Sequence, residues 1–408
     1  MIEIDAARLL ADLGALRRFG AVGTGVVRPA FSAEDMAARR WLQARMQAAG
    51  LDATIDGVGN VLGRSRRSGP ALLIGSHSDT QPTGGWLDGA MGVIHGLEIA
   101  RSLAENPATA GLAVDVASWS DEEGTFAGFL GSRSFCGEDV APLIAGAANA
   151  DGKRLSDVLR ETGLAGLPRG SLEKGRHVAY LETHIEQGGR LETAGKAIGI
   201  VTGIVGIREY RIDFHGARNH AGTTPMSIRR DAGAALIRFA HNLDEEFAGL
   251  ADADTVWTIG RVALEPGALS VIPGTASLWL QFRDGDPARL RSMVHALEGL
   301  VAAHDREGRV MVRLTEHDLP SAPVAMDSGL QEHLVAAAER VAPRQWLRMP
   351  SGAGHDAQIL APHLPAAMLF VPSIGGLSHD SGEDTDPADI VLGCRVAATA
   401  VAAILRER

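Results

Sequence analysis

Three apolar runs in the N-terminal half of this chain each break off into histidine and acid. "ALLIGSHSDT" (71 to 80) ends with His77 and Asp79, "LAVDVASWSDEE" (112 to 123) with Asp121, Glu122 and Glu123, and "HVAYLETHIEQG" (177 to 188) carries His184 near its end. Between the first two lies a stretch with helical spacing of Met91, Ile94, Leu97, Ile99 and Leu103. Strand-like and helix-like segments in alternation predict an α/β layer with parallel strands. In such an open sheet, ligands gather beyond the carboxyl ends of the strands, so the polar endings are expected to converge on one crevice.

The texture changes between about residues 205 and 320. "GIREYRIDFHG" and "ASLWLQFRD" alternate with a period of two, as half-exposed antiparallel strands do, and helical stretches fall at about 231 to 248 and 287 to 304. An inserted α+β domain over 205–320 follows. The first texture then returns, with "MDSGLQEHLVAAAERV" as a helix, "PAAMLFVPS" as a buried strand and a closing helix in "ADIVLGCRVAATAVAAILRER". The large domain is therefore expected to combine residues 1–204 and 321–408.

Composition narrows the class of partner. Acidic residues outnumber basic ones by 50 to 39, a net charge of −11, which argues against a nucleic-acid footprint or a polybasic membrane patch. Small molecules are the expected partners. The two cysteines, Cys136 and Cys394, fit neither a disulfide framework nor a thiolate metal site, so a reducing, cytoplasmic setting is expected. The N-terminal "MIEIDAARLLADLGALRRFG" lacks the basic-then-apolar order of a secretory signal. No stretch of uncharged apolar residues reaches the length of about 18 that a membrane span needs.

Three consecutive acids after a buried strand repel one another, so something positive is expected beside Asp121, Glu122 and Glu123. His77 and Asp79 form an H-x-D pair, followed by Gly84, Gly85, Asp88 and Gly89 in a turn before a helix. His184 lies in "ETHIEQGG" and His379 in "GGLSHDSGEDT". Taken singly, each is an ordinary solvated loop residue. Together, several histidines and carboxylates at strand ends are ligand chemistry for a divalent ion such as Zn2+, Mn2+ or Co2+. With no cysteine in the set, a catalytic site is favoured over a structural zinc.

These residues carry a resemblance. "GSHSDTQPTGGWLDGAMGVIHGLE", "SDEEGTFAGFLGSRSFCG", "ETHIEQGGRLE", "NHAGTTPM", "SGAGHDA" and "FVPSIGGLSHDSGEDT" resemble the hydantoinase/carbamoylase family of amidases. That family includes N-carbamoyl-L-amino acid hydrolases, beta-ureidopropionases and allantoate amidohydrolases, within the zinc aminopeptidase-like superfamily. The resemblance runs from about residue 75 to 385. It implies a mixed, mainly parallel sheet with helices on both faces, and a ferredoxin-like insert serving as lid and dimerisation domain.

It also implies two divalent metal ions per subunit. His77, Asp88, Glu123, His184 and His379 look like the ligands, with Asp88 as the bridging carboxylate and Glu123 and His184 on different ions. Glu122 looks like the general base, and Asp79 like a residue that accepts from the His77 ring and aims it. Asp121 is expected to be a helix-end or surface acid. His220 resembles the residue that stabilises the oxyanion from the partner subunit of a homodimer. Gln187 resembles the residue that reads the carbamoyl or amide end, and Arg283 the one that grips the substrate carboxylate. His355 and Asp356 are expected to line the site.

The chain departs from the family pattern at Ser270, where an asparagine is common, and at Gln281, where an aspartate is common. Both lie near Arg283 in the sequence motifs and bear on the substrate carboxylate. The implied activity is hydrolysis of a carbamoyl, ureido or other linear amide bond of a small carboxylate. Allantoate or ureidoglycolate amidohydrolases and metallo-aminoacylases or dipeptidases are the alternative enzymes. A metal-binding protein without catalysis is the alternative from another class, but it should have lost a ligand or the base.

Overall fold

In the computed structural model, residues 2–306, 308–317 and 321–407 are described. The last three residues of the expected insertion, 318–320, lie outside them, as does Arg408. The chain divides into two compact units, one made of Met1–Thr202 and Ala325–Arg408, the other of Gly203–Val324.

The N-terminal part forms helices α1 (Ala6–Arg17) and α2 (Ala33–Ala48), then strands β1 (Asp52–Ile55), β2 (Val61–Arg64) and β3 (Ala71–His77). Helix α3 (Ala90–Glu105) and strands β4 (Ala113–Trp119), β5 (His177–Ile185) and β6 (Ile198–Ile204) follow. The middle part supplies β7 (Gly206–His215), α4 (Ala232–Leu250), β8 (Val256–Glu265), β9 (Thr275–Asp284), α5 (Pro287–Arg306) and β10 (Met311–Glu316). The C-terminal part supplies β11 (Val324–Ala325), α6 (Ser328–Val341), β12 (Trp346–Ser351), β13 (Ala366–Val371) and α7 (Pro387–Glu407).

The large sheet runs β11-β6-β13-β5-β3-β4-β2-β1, with β12 pairing β6. Its central strands β13, β5, β3 and β4 are mutually parallel, while β6 and β2 join antiparallel at the flanks. The fold is the expected mixed, mainly parallel α/β layer. Every residue of β3, β4 and β13 is buried, which is why these strands read as near-continuous apolar runs rather than alternating ones. Helix α3 is buried on almost every face, and α7 packs against α3, α6 and β13. Among the described residues α7 alone is long and apolar enough to cross a membrane, and most of it is enclosed in this core.

The second unit has its own core, in which Phe239, Phe247 and Leu243 of α4 meet Ile212, Phe214, Leu280 and Phe282 of the sheet. Its strand order β8-β9-β7-β10, all antiparallel, with the succession β-α-β-β-α-β, is the ferredoxin-like arrangement. Strand β9 alternates buried and half-exposed residues along its length, so one face packs on the helices and the other stays open.

Candidate metal centre

Because β13, β5, β3 and β4 are parallel neighbours, the residues at their carboxyl ends come together. His77 is the last residue of β3, and the turn after it leads through Asp88 into α3. Glu122 and Glu123 follow β4, His184 lies at the end of β5, and His379 follows β13. The chain at His379 has φ +53, a left-handed conformation that costs free energy outside glycine.

Main-chain carbonyls aim the buried histidine rings. His77 Nδ1 lies 3.0 Å from the Asp79 carbonyl and His184 Nδ1 lies 2.9 Å from the Ile185 carbonyl, so each Nδ1 carries the proton that it donates. Both Nε2 atoms are left facing Asp88 Oδ1, at 3.6 Å from His77 and 3.1 Å from His184. On its other side Asp88 Oδ2 lies 3.2 Å from His379 Nε2, which is 3.7 Å from Glu123 Oε2. Asp88 therefore belongs to two groups with ligand atoms clustered closely enough for an ion, His77–Asp88–His184 and Asp88–Glu123–His379. All five residues singled out by sequence meet here.

The donor set fits divalent cations. It is imidazole and carboxylate without sulfur, and the buried Glu123 Oε1 has no hydrogen-bond partner among the described residues. Electrostatics agree. Burial pushes the Asp88 carboxyl up, but the close approach of His184, His379 and His77 pulls it well below the usual carboxylate range. Burial raises Glu123, and the Asp88 charge raises it further against His77 and His379. Glu122 Oε2 lies 3.6 Å from His77 Nε2. Burial drives its carboxyl well above the ordinary range against the pull of His77, with the charges of Asp356, Glu123 and Asp88 acting in the same sense as burial. Divalent ions relieve such crowding by taking the place of protons.

The profile of peptidase family M20/M25/M40 matches residues 73–403. This chain belongs to that family. Among its relatives is the N-carbamoyl-L-amino acid amidohydrolase of Geobacillus stearothermophilus, 35% identical over 397 residues, or 93% of this chain and 95% of that protein. The allantoate amidohydrolase of Escherichia coli is 34% identical over 393 residues, 94% of each chain. A crystal structure of a hydantoinase/carbamoylase family amidase from Burkholderia phymatum superposes with a TM-score of 0.96 at 59% identity, covering 100% of this chain and 99% of that one. The M20 chain is thus a metal-dependent amidohydrolase, a hydrolase of carbon–nitrogen bonds other than peptide bonds.

Asp79 of the M20 chain accepts from the His77 ring through its main-chain carbonyl, not its carboxylate. The carboxylate turns the other way, with Oδ2 accepting from the Glu123 main-chain N–H at 3.2 Å and Oδ1 3.7 Å from Arg39 Nη2. Arg39, on α2, is fully buried; its Nε donates to Asp35 at 2.7 Å and its Nη1 to the Gly59 carbonyl at 2.8 Å. Sequence reasoning missed it, because an arginine one turn beyond an aspartate usually marks a solvated helix face.

Asp121 is not the helix-end or surface acid expected from sequence. It is buried at φ +53 and accepts from the main-chain N–H groups of Phe126 and Ala127, folding the loop that carries Glu122 and Glu123. Burial, reinforced by the Asp79 charge, pushes its carboxyl up to about 7. A positive group acting on Asp121 is Arg39, whereas the partner expected for the acid cluster as a whole is the pair of divalent ions.

Around the centre, Gln187 has φ +58 and donates from Nε2 to Asp88 Oδ2 and to Ser378 Oγ, each at 3.1 Å. His355 is buried with its ring edge against His184, centroids 4.5 Å apart, and its Nε2 is 2.9 Å from Ser351 Oγ. Burial and the His184 charge hold it well below the ordinary histidine range, so it is neutral. Asp356 is buried, and burial with the nearby Glu182 keeps its carboxyl well above normal. Glu182 accepts from Ser76 Oγ and the Ala357 N–H, each at 2.8 Å. The two-residue step from Glu182 to His184 along β5 was the signal that could have found it.

In the second unit, His220 is exposed on a short ladder that pairs Asn219–His220 with Val271–Ile272. Its Nδ1 accepts from the N–H groups of Gly222 at 3.0 Å and Thr223 at 3.2 Å, so the neutral ring carries its proton on Nε2. The Ser270 carbonyl accepts from Ala221 N–H at 2.9 Å, placing Ser270 beside the His220 loop. Arg283, at the end of β9, donates from Nε to Gln281 Oε1 at 2.8 Å, and Gln281 in turn donates to Glu209.

Proposed function

We propose that this M20 amidohydrolase cleaves a carbamoyl or ureido C–N bond of a small carboxylate such as an N-carbamoyl-L-amino acid, with two divalent ions and Glu122 as general base. The observation that carries this reading is Asp88, one oxygen facing His77 and His184 and the other facing His379 and Glu123, with Glu122 beside His77. Zn2+, Mn2+ and Co2+ all suit this donor set. When bound, such ions polarise a carbonyl and lower the pKa of water.

The remaining work falls to side chains. Glu122, held where its proton affinity is high, takes the proton of the attacking water and passes it to the leaving nitrogen. His220 presents Nε2–H, a donor suited to the oxyanion of the tetrahedral intermediate. The Arg283 fork matches a substrate carboxylate, with Ser270 as a shorter neighbour than asparagine. Gln187, beside Asp88, is suited to the carbamoyl end, and neutral His355 with buried Asp356 forms the wall.

A homodimer in which His220 reaches the partner's active site is part of this proposal. The unpaired edge of β8 and the exposed Val256, Val262 and Ile237 support association through the second unit. Mixing His220→Ala with Glu122→Gln protein restores activity in mixed dimers if the site is shared, and inactive mixtures reject the sharing.

Cleavage of allantoate or ureidoglycolate is the second reading. It is supported by the 34% identity to the Escherichia coli allantoate amidohydrolase, and Ser270 and Gln281, which depart from the family pattern, weigh against the carbamoyl-amino-acid assignment without selecting a substitute. Ammonia release, measured over N-carbamoyl amino acids, ureidopropionate, allantoate, ureidoglycolate and acyl amino acids with each metal in turn, decides between them. Turnover confined to acyl amino acids or dipeptides would reject both.

A further inference from the structure

The centre takes ligands from two loops far apart in sequence: Asp88 precedes α3 and His379 precedes α7. Glu383, four residues beyond His379, ties them together. Its buried Oε1 accepts from the main-chain N–H groups of Leu87 and Asp88, both at 3.1 Å, and its Oε2 accepts from the Ser378 hydroxyl at 3.0 Å. Ser378, adjacent to His379, also receives the Gln187 amide at 3.1 Å. The first loop is shaped around this carboxylate, since a Cβ at Gly85 would lie 1.9 Å from Glu383 Oε1. By its residue types alone, "GEDT" is no more than a polar turn.

We propose, resting on the two-ion reading above, that Glu383 is a positioning residue that sets the span between Asp88 and His379 and so shapes the pocket formed by Asp88, Glu123 and His379. Its three bonds are all acceptor contacts along one side chain of fixed reach. Length is what such a brace requires; negative charge is not. A glutamine has the same reach: its Oε1 can accept both N–H groups and its Nε2 can donate to Ser378 Oγ. An aspartate keeps the charge but stops one carbon–carbon bond short of the first loop.

Titration calorimetry of Mn2+ and of Zn2+ into wild type, Glu383→Gln and Glu383→Asp separates these requirements. Glu383→Gln is expected to bind within about threefold of wild type, whereas Glu383→Asp loses about tenfold or more at one of two sites. Gly85→Ala, which displaces the carboxylate without changing it, is expected to give the same loss and carries the test if the aspartate variant fails to fold. Wild-type binding by Glu383→Asp, or an equal loss in Glu383→Gln, overturns the brace. A wild-type protein that takes up neither ion overturns the two-ion reading and the brace with it.

Discussion

The main chain at Gly89 passes so close to the His77 ring that a Cβ added there would lie 2.4 Å from His77 Nε2. Gly89 has φ +62, and its N–H donates to His184 Nε2 at 3.1 Å. One residue thus touches the two histidines that face Asp88 Oδ1. Gly89→Ala is expected to turn the His77 ring and weaken divalent-ion binding by about tenfold or more, read by calorimetry. Unchanged affinity would show that the ring has room to move.

Asp88 is the residue common to both ligand groups. Asp88→Ala is expected to abolish uptake of both ions, whereas Glu123→Ala removes one. Metal content by atomic absorption after dialysis distinguishes the outcomes; one ion retained by Asp88→Ala would mean that the pockets are independent.

Glu122 Oε2 sits 3.6 Å from His77 Nε2. Glu122→Gln preserves its shape and removes its basicity. Metal content should stay at the wild-type level while turnover falls by about 10²- to 10⁴-fold, the usual worth of a positioned base. Ammonia release at saturating substrate measures it.

The acids and histidines of the centre give the metal-free protein a definite pH response. Asp121 and Glu383 are each pushed up to about 7, by burial together with Asp79 and Asp88 respectively. A carboxyl raised on folding contributes stability below its unfolded pKa, and loses it as pH rises through the folded value. Burial lowers His77, but Glu122, Asp88 and Asp79 together hold it well above its ordinary range, and a raised histidine acts in the same sense. Burial holds His95 down at about 3 and His355 well below normal; these act oppositely, but only below the ordinary histidine range. Between about pH 7 and about pH 8.5 the metal-free melting temperature should therefore fall, and saturating Mn2+ should remove or reverse the slope. Scanning calorimetry at both ends, with and without the ion, checks the sign.

Arg39 balances Asp35 and Asp79 in a site closed to water. Arg39→Met is expected to cost about 3 to 5 kcal/mol, because the acids remain buried without their partner. Urea denaturation measures the loss, and a change below about 1 kcal/mol would show that the acids find other partners or take up protons cheaply.

Much of this arrangement is legible in the order of residues alone. The central strands are plain because burial on both faces makes them continuous apolar runs, and His77, Glu122, Glu123 and His184 stand out because such runs end in His or acid, whereas the full set with Asp88 and His379 is implied only by the family resemblance. What escapes are polar residues whose surroundings come from elsewhere in the chain. Arg39 looks solvated until α2 packs on β1 and β2 and brings it to Asp79 and the Gly59 carbonyl. Glu383 looks like a turn acid until the Leu87 and Asp88 N–H groups reach it, and Asp121 looks like a surface acid until its own loop wraps it. Strands β6 and β12 pair with partners far away in sequence, a relationship that local periodicity does not encode.

Strand β13 enters the sheet between β5 and β6, and α7 then covers it. A chain emerging from the ribosome therefore presents His77, Asp88, Glu122, Glu123 and His184 first, while the slot for β13 stays open until residue 371 has been translated. His379 follows only then. The proposed centre is thus completed only once β13 and His379 have been made, and a chain halted before them would lack both the strand that fills the sheet and one member of the site.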